Sequence, residues 1–151
     1  MTLDLFAQED EPQGMEPLGA QAFVLRGFAR AQSPTLISAI DAIVQAAPFR
    51  HMVTPGGFTN VPGSKMSLHQ DKDERDLRQP IVSVSLGIPA TFLFGGLQRK
   101  DPTVRVRLTH GDVVVWGGVD RLRFHGIVPL KDNTHPLLGA QRFNLTFRKA
   151  G

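Results

Sequence analysis

The sequence predicts a mainly β fold with one flanking helix near the N-terminus. Three observations carry this expectation. One stretch, in the first third of the chain, has the apolar spacing of an amphipathic helix. From Ser67 onward the chain reads as short apolar or alternating runs separated by turn-forming residues. The length, 151 residues, suits one domain that buries a real core, expected to span residues 1–151. One helix followed by many short strands is the pattern of a sheet-rich sandwich or barrel.

Residues 1–20 read as an extended arm, punctuated by Pro12, Gly14, Pro17 and Gly19. "AFVLRGF", Ala22 to Phe28, reads as a short strand. The helix is "SPTLISAIDAIVQAAPF". Ser33 suits its N-cap and Pro34 its first position. Leu36, Ile37, Ile40, Ile43, Val44 and Ala47 recur on one face, and Pro48 ends the helix. It reads as scaffold. "HMVTPGGFTNVPGSK" holds two turn signals with little between them. "IVSVSLGI", "ATFLF", "VRVRLT", "DVVVWG", "LRFHGIV" and "RFNLTFR" then read as strands, with Gly-Gly pairs and Asp-Pro among the turns between them.

Composition narrows the function classes. Hydrophobic residues (41%) and charged residues (21%) are in the range of folded globular proteins. There is no cysteine, so disulfides and thiolate metal sites are excluded, and any metal must be held by His, Asp, Glu or carbonyl oxygen. No apolar run approaches the roughly 20 residues of a membrane span. The start, "MTLDLFAQEDEPQG", is acidic and lacks the basic beginning of a secretion signal, so a cytoplasmic protein is expected. A net charge of +3 permits a polyanionic partner such as nucleic acid without demanding one.

"SLHQDKDE", Ser67 to Glu74, places one histidine among three carboxylates. On a strand His69 and Asp71 share a face, with Asp73 next in that series, while Lys72 and Glu74 face elsewhere. A third ligand must come from a distance. Of the other histidines, His110 and His135 read as loop residues. His125 lies inside an apolar strand, where it needs a partner or a metal to justify burial. His-x-Asp with a distant His is the spacing of the two-histidine, one-carboxylate triad of Fe(II) oxygenases. Alone it is a weak motif, and a strand end with a solvated carboxylate reads from it more readily than a metal site. In "RFNLTFR", Arg142, Asn144, Thr146 and Arg148 share one face, and Phe143, Leu145 and Phe147 the other. The polar face is either solvated or lines an anion pocket. Arginine forks grip carboxylates, and two on one strand face fit a dicarboxylate.

Taken together, "SLHQDKDE", "PIVSVSLGIPATFLFGG", "HGDVVVWGG", "RLRFHGI" and "RFNLTFR", with "FRHMVTPGGFT" upstream, resemble the AlkB family of Fe(II)- and 2-oxoglutarate-dependent dioxygenases. The resemblance implies a double-stranded β-helix, or jelly-roll, core. It implies His69, Asp71 and His125 as iron ligands, and Arg142, Asn144 and Arg148 as contacts of 2-oxoglutarate. It further implies Asp73 and Arg99 as substrate contacts, with Trp116 as a wall near the iron or an ordinary core residue. Lys100, Arg105 and Arg107 could meet phosphate, but Arg105 and Arg107 alternate with Val104 and Val106 as on a plain solvent-facing strand.

Fe(II), 2-oxoglutarate and dioxygen are the implied cofactors. Oxidative demethylation of N-alkylated bases is the implied activity, on alkylated single- or double-stranded DNA and possibly RNA, by a monomer with no membrane partner. One departure stands out. Family members carry a segment between the "TPGGFT" turn and the "PGSKMSLHQD" strand that forms the nucleotide-recognition lid and completes the 2-oxoglutarate site. Here "FTN" runs directly into "VPG", so that segment is absent near residues 59–62. A barrel without its lid also admits two other readings: an inactive or binding module, and a dioxygenase for a substrate other than nucleic acid.

Overall fold

The computed structural model describes residues 14–46 and 65–149. The chain runs β1 (Gly14–Gly19), β2 (Ala22–Arg26), α1 (Ser33–Ala46), β3 (Met66–His69), β4 (Ile81–Gly87), β5 (Ala90–Phe94), β6 (Val104–Leu108), β7 (Val113–Trp116), a 3-10 turn at Gly118–Asp120, β8 (His125–Ile127) and β9 (Arg142–Phe147). Two sheets form, in the orders β1-β2-β7-β4-β9 and β3-β8-β5-β6, and every pairing is antiparallel. This is the sheet-rich architecture with one helix that the sequence predicts.

Strand alternation explains where the core sits. Val24, Ile81, Val114 and Trp116 of the larger sheet join Phe92, Phe94, Val106, Leu108 and Ile127 of the smaller sheet in one cluster. The alternate residues Leu25, Val82, Val84, Val113 and Val115 face the other way and meet Leu36, Ile37 and Ile40 of α1. The central strands of the larger sheet are thus covered on both faces. Hence "VVVW" and "IVSVSL" read as near-continuous apolar runs rather than as alternating ones.

Several expectations are corrected in detail. The end of the expected arm is a strand, β1, paired with β2, and residues 1–13 lie outside the described residues. Ser33 is not the helix cap: its hydroxyl donates to the Arg30 carbonyl at 2.7 Å, while the Leu36 N–H reaches back to Gln32. The apolar face of α1 is also shorter than its spacing suggests, since Ile43 is 64% exposed. Residues 47–64, with Ala47, Pro48, His51 and the expected gap near 59–62, lie outside the described residues.

A buried aspartate that sequence reading passed over ties the end of β2 to the turn after β6. Asp112 accepts from Arg26 Nη1 (2.9 Å), the Gly27 N–H (2.8 Å) and the Thr109 N–H (2.8 Å). A carboxylate with three charged or backbone donors is well compensated for its burial. Among the described residues no helix is long and apolar enough to cross a membrane.

Candidate metal and cosubstrate site

β3 ends on His69 and β8 begins on His125, and the two histidines are register partners across the β3–β8 ladder. Their ring centroids are 4.4 Å apart. The ladder slips between Met66 and His69, where β3 carries one residue more than β8. Gly126 makes this approach possible: a Cβ there would lie 2.6 Å from the Met66 carbonyl oxygen. The strand reading of "HQD" holds only as far as His69. Asp71 lies in the loop beyond β3, yet its carboxylate still turns toward the histidines.

The loop is held in place by Arg121, a buried residue following the 3-10 turn. Its guanidinium donates to the Asp71 carbonyl (2.5 Å), the Gln79 carbonyl (2.9 Å) and the Glu74 carboxylate (3.2 Å). Asp71 Oδ1 is then 3.6 Å from His69 Nε2, and Oδ2 is 3.2 Å from His125 Nε2. The three ligand atoms lie within 4.8 Å of one another.

Hydrogen bonding on the far side of each ring decides what this cluster can hold. His69 Nδ1 is 2.8 Å from the Ser67 carbonyl, and His125 Nδ1 is 3.1 Å from the Arg123 carbonyl. A carbonyl only accepts, so each Nδ1 carries the proton. In the neutral rings both Nε2 lone pairs then point at a carboxylate. Three acceptors facing one another need a cation between them, and a divalent metal supplies it. The donor set of two imidazoles and one carboxylate suits Fe(II). Burial works to raise the Asp71 pKa, but cationic neighbours outweigh it: the hydrogen bond and charge that His125 supplies when a proton takes the metal's place on Nε2, then the charges of Arg148 and of His69 protonated in the same way. The carboxyl stays below its ordinary value.

A cavity of about 190 Å³ opens from this cluster, lined by Phe92, Leu108, Trp116 and Ile127 on its apolar side and by Arg142, Asn144 and Arg148 on its polar side. Trp116 is both core residue and wall, with its ring 4.8 Å from that of His125. Arg142 is 3% exposed. Its Nη2 donates to Ser85 Oγ at 2.8 Å, while its Nε is buried and has no partner among the described residues. Desolvation pulls its pKa down to about 10, which leaves it charged near neutrality. A buried cation with a free donor beside a cavity is a receptor for an anion from outside. The Arg142–Arg148 strand face is therefore a pocket lining rather than a solvated surface. Asn144 is tied to Ser83, whose hydroxyl donates to its Oδ1 at 2.7 Å. Arg148 reaches Asp71 and Glu74, each at 3.0 Å.

The remaining expected residues sit further out. Asp73 is exposed and does not line the cavity. Arg99 lies over the Phe124 ring, 5.1 Å from its centroid, and donates to the Leu68 carbonyl next to His69. Arg105 and Arg107 are exposed, as a solvent-facing strand requires, and so is Lys100 in the turn before β6. His110 and His135 stay away from the triad and pair with each other, their ring centroids 4.3 Å apart. Sequence reasoning missed Glu74 and Arg121. Buried opposite charges on two distant loops leave no local pattern that would reveal them.

Jelly-roll sheets, a two-histidine, one-carboxylate cluster and a buried arginine facing one cavity define an iron- and 2-oxo-acid-dependent oxygenase. The profile described as "2OG-Fe(II) oxygenase superfamily" matches residues 60–148. The chain belongs to that superfamily and, within it, to the AlkB family of dioxygenases. It is 41% identical to the alpha-ketoglutarate-dependent dioxygenase AlkB of Salmonella typhimurium (strain LT2), over 98% of either chain. It is 42% identical to that of Escherichia coli (strain K12), over 99% of this chain and 98% of the relative. The solved structure of OsALKBH1 shares the fold with a TM-score of 0.53 and 31% identity, over 81% of this chain and 63% of that one.

The protein is thus an Fe(II)/2-oxoglutarate-dependent dioxygenase, with iron, 2-oxoglutarate and dioxygen as its cofactors. The alignment with the Salmonella relative runs over 213 positions, against 151 residues here, so the relative carries sequence that this chain lacks.

Proposed function

We propose that this chain, acting as one dioxygenase domain, removes alkyl groups oxidatively from N-alkylated bases of DNA or RNA. The observation that carries this reading is the buried, half-satisfied Arg142 in the same cavity as His69, Asp71 and His125, in a chain similar to AlkB along its whole length. The same reading gives the three triad residues as metal ligands.

When bound, iron couples decarboxylation of 2-oxoglutarate by dioxygen to hydroxylation of the alkyl carbon. The chain's own residues bind and orient. Arg142 neutralises one carboxylate of 2-oxoglutarate at the floor of the cavity, and Asn144 stands beside it. Arg148 meets the other carboxylate near the triad. The Phe92, Trp116 and Ile127 wall keeps bulk water from the reacting centre. The hydroxylated alkyl group leaves as an aldehyde when its C–N bond breaks, and the base keeps its nitrogen. Asp73, exposed at the loop beyond the triad, accepts from an exocyclic amine of the base. Arg99, held beside His69, meets the adjoining strand. Single-stranded or damaged sites are favoured because extrusion of the base costs least there. We place the protein in the cytoplasm as a monomer.

The test is an anaerobically iron-loaded preparation given 2-oxoglutarate, dioxygen and an N-methylated single-stranded oligonucleotide. Stoichiometric succinate and formaldehyde are expected. Succinate without formaldehyde from either DNA or RNA would point to a substrate of another class. Absence of succinate from correctly loaded protein would overturn the proposal. Light scattering during size-exclusion chromatography checks the monomer.

A further inference from the structure

We propose that Glu74 is a positioning residue for the cosubstrate: clamped by Arg121, it fixes Arg148 at the cavity and so sets the affinity for 2-oxoglutarate. This rests on the reading of Arg148 as a 2-oxoglutarate contact.

The geometry is that of one carboxylate bridging two guanidinium groups. Glu74 Oε2 is 3.2 Å from Arg121 Nη2, and Oε1 is 3.0 Å from Arg148 Nη1. The Glu74 side chain is 8% exposed and that of Arg121 3%, whereas that of Arg148 is 41% exposed. Two of the three are therefore locked in the protein, and the third is a long side chain ending at the cavity. Arg121 does not serve the cosubstrate itself: it does not line the cavity, and its Nε, Nη1 and Nη2 each donate to the loop from Asp71 to Gln79. Arg148 is used differently. Its contacts with Asp71 and Glu74 both pass through Nη1. Its Nε and Nη2 donate to nothing among the described residues, so that edge of the fork is presented to an incoming carboxylate.

Asp71 cannot be the lasting anchor. A divalent cation on Asp71 draws its charge away from Arg148, whereas Glu74 lies outside the triad and keeps its charge. Holding Arg148 before the cosubstrate arrives removes part of the ordering cost of binding.

The experiment compares the full chain with Glu74→Gln, which keeps shape and removes charge. Calorimetry on Mn(II)-loaded protein reads 2-oxoglutarate binding without turnover. The expected result is a weakening of roughly three- to tenfold, less than for removal of a direct charge partner. Mn(II) binding and melting temperature should stay near wild type. In turnover the KM for 2-oxoglutarate should rise while kcat holds, and Glu74→Asp should recover part of the loss. Should the glutamine variant fail to fold, Glu74→Asp carries the same comparison with a retracted carboxylate.

Unchanged 2-oxoglutarate affinity in Glu74→Gln, with weakened affinity in Arg148→Ala, overturns the role of Glu74 alone. Unchanged affinity in both variants overturns the reading of Arg148 as well. A parallel loss of Mn(II) binding or of thermal stability makes Glu74 merely structural and also overturns the proposal.

Discussion

Arg142 is a charge placed where folding alone would not want it. It is buried, and among the described residues its Nε is unpartnered and the single hydrogen bond it donates goes to a neutral hydroxyl. Replacing a poorly compensated buried charge with an apolar side chain of similar volume is often neutral or stabilising. We therefore expect Arg142→Met to melt at or above the wild-type temperature while losing 2-oxoglutarate binding by roughly 30-fold or more, the loss of a buried charge pair. Thermal melts and calorimetry on the same preparation check both halves, and a large fall in melting temperature would contradict the first. The residue was legible in sequence as one of two arginines on a strand face. Its burial was not, because burial depends on which sheet β9 joins.

At the scale of elements, the β3–β8 ladder is what brings two histidines 56 positions apart in the chain into register. Gly126 sits at the tightest point. Gly126→Ala would put a methyl group 2.6 Å from the Met66 carbonyl, forcing β3 away and costing about 1–3 kcal/mol. Metal affinity should fall with it, read by titrating Mn(II) into the variant, although no ligand is altered.

The turn after β6 gives an independent test. His110 Nδ1 accepts the Gly87 N–H at 3.0 Å, and burial, then the charges of His135 and Arg30, hold its pKa below the ordinary histidine value. The unfolded ring titrates near 6.5. Above that pH both states are neutral and the contribution to stability is complete. As pH falls toward the lower folded value, the unfolded chain takes up a proton that the folded ring resists, and stability declines. Denaturant unfolding at pH 7 and pH 5 should show a steeper loss for the wild type than for His110→Gln. Parallel losses would remove His110 from the account. The sequence placed His110 in a turn correctly. It could not show that the turn packs the ring against His135.

For the whole molecule, the triad joins the smaller sheet to the loop from Asp71 to Gln79, so a metal there should stabilise the fold. At a free Mn(II) concentration about 100-fold above its Kd the gain is about 2.7 kcal/mol. For a chain of this length that is a rise of roughly 5–10 °C in Tm. Asp71→Ala should abolish the rise. A rise that survives in that variant would place the bound metal elsewhere.

By itself the sequence determined the fold class, the strand runs and helix, and the residue types of the site. Those follow from periodicity, turn chemistry and spaced motifs, which are local. Its alternation rule put Asp71 beside His69 for the wrong reason. β3 stops at His69, and Asp71 turns inward because Arg121 holds its carbonyl. Only the tertiary structure decided that, along with the burial of Arg142 and the bridge from Arg121 through Glu74 to Arg148. Each of these is a balance of desolvation against charge pairing between distant segments. Such a balance has no value until packing fixes the distances.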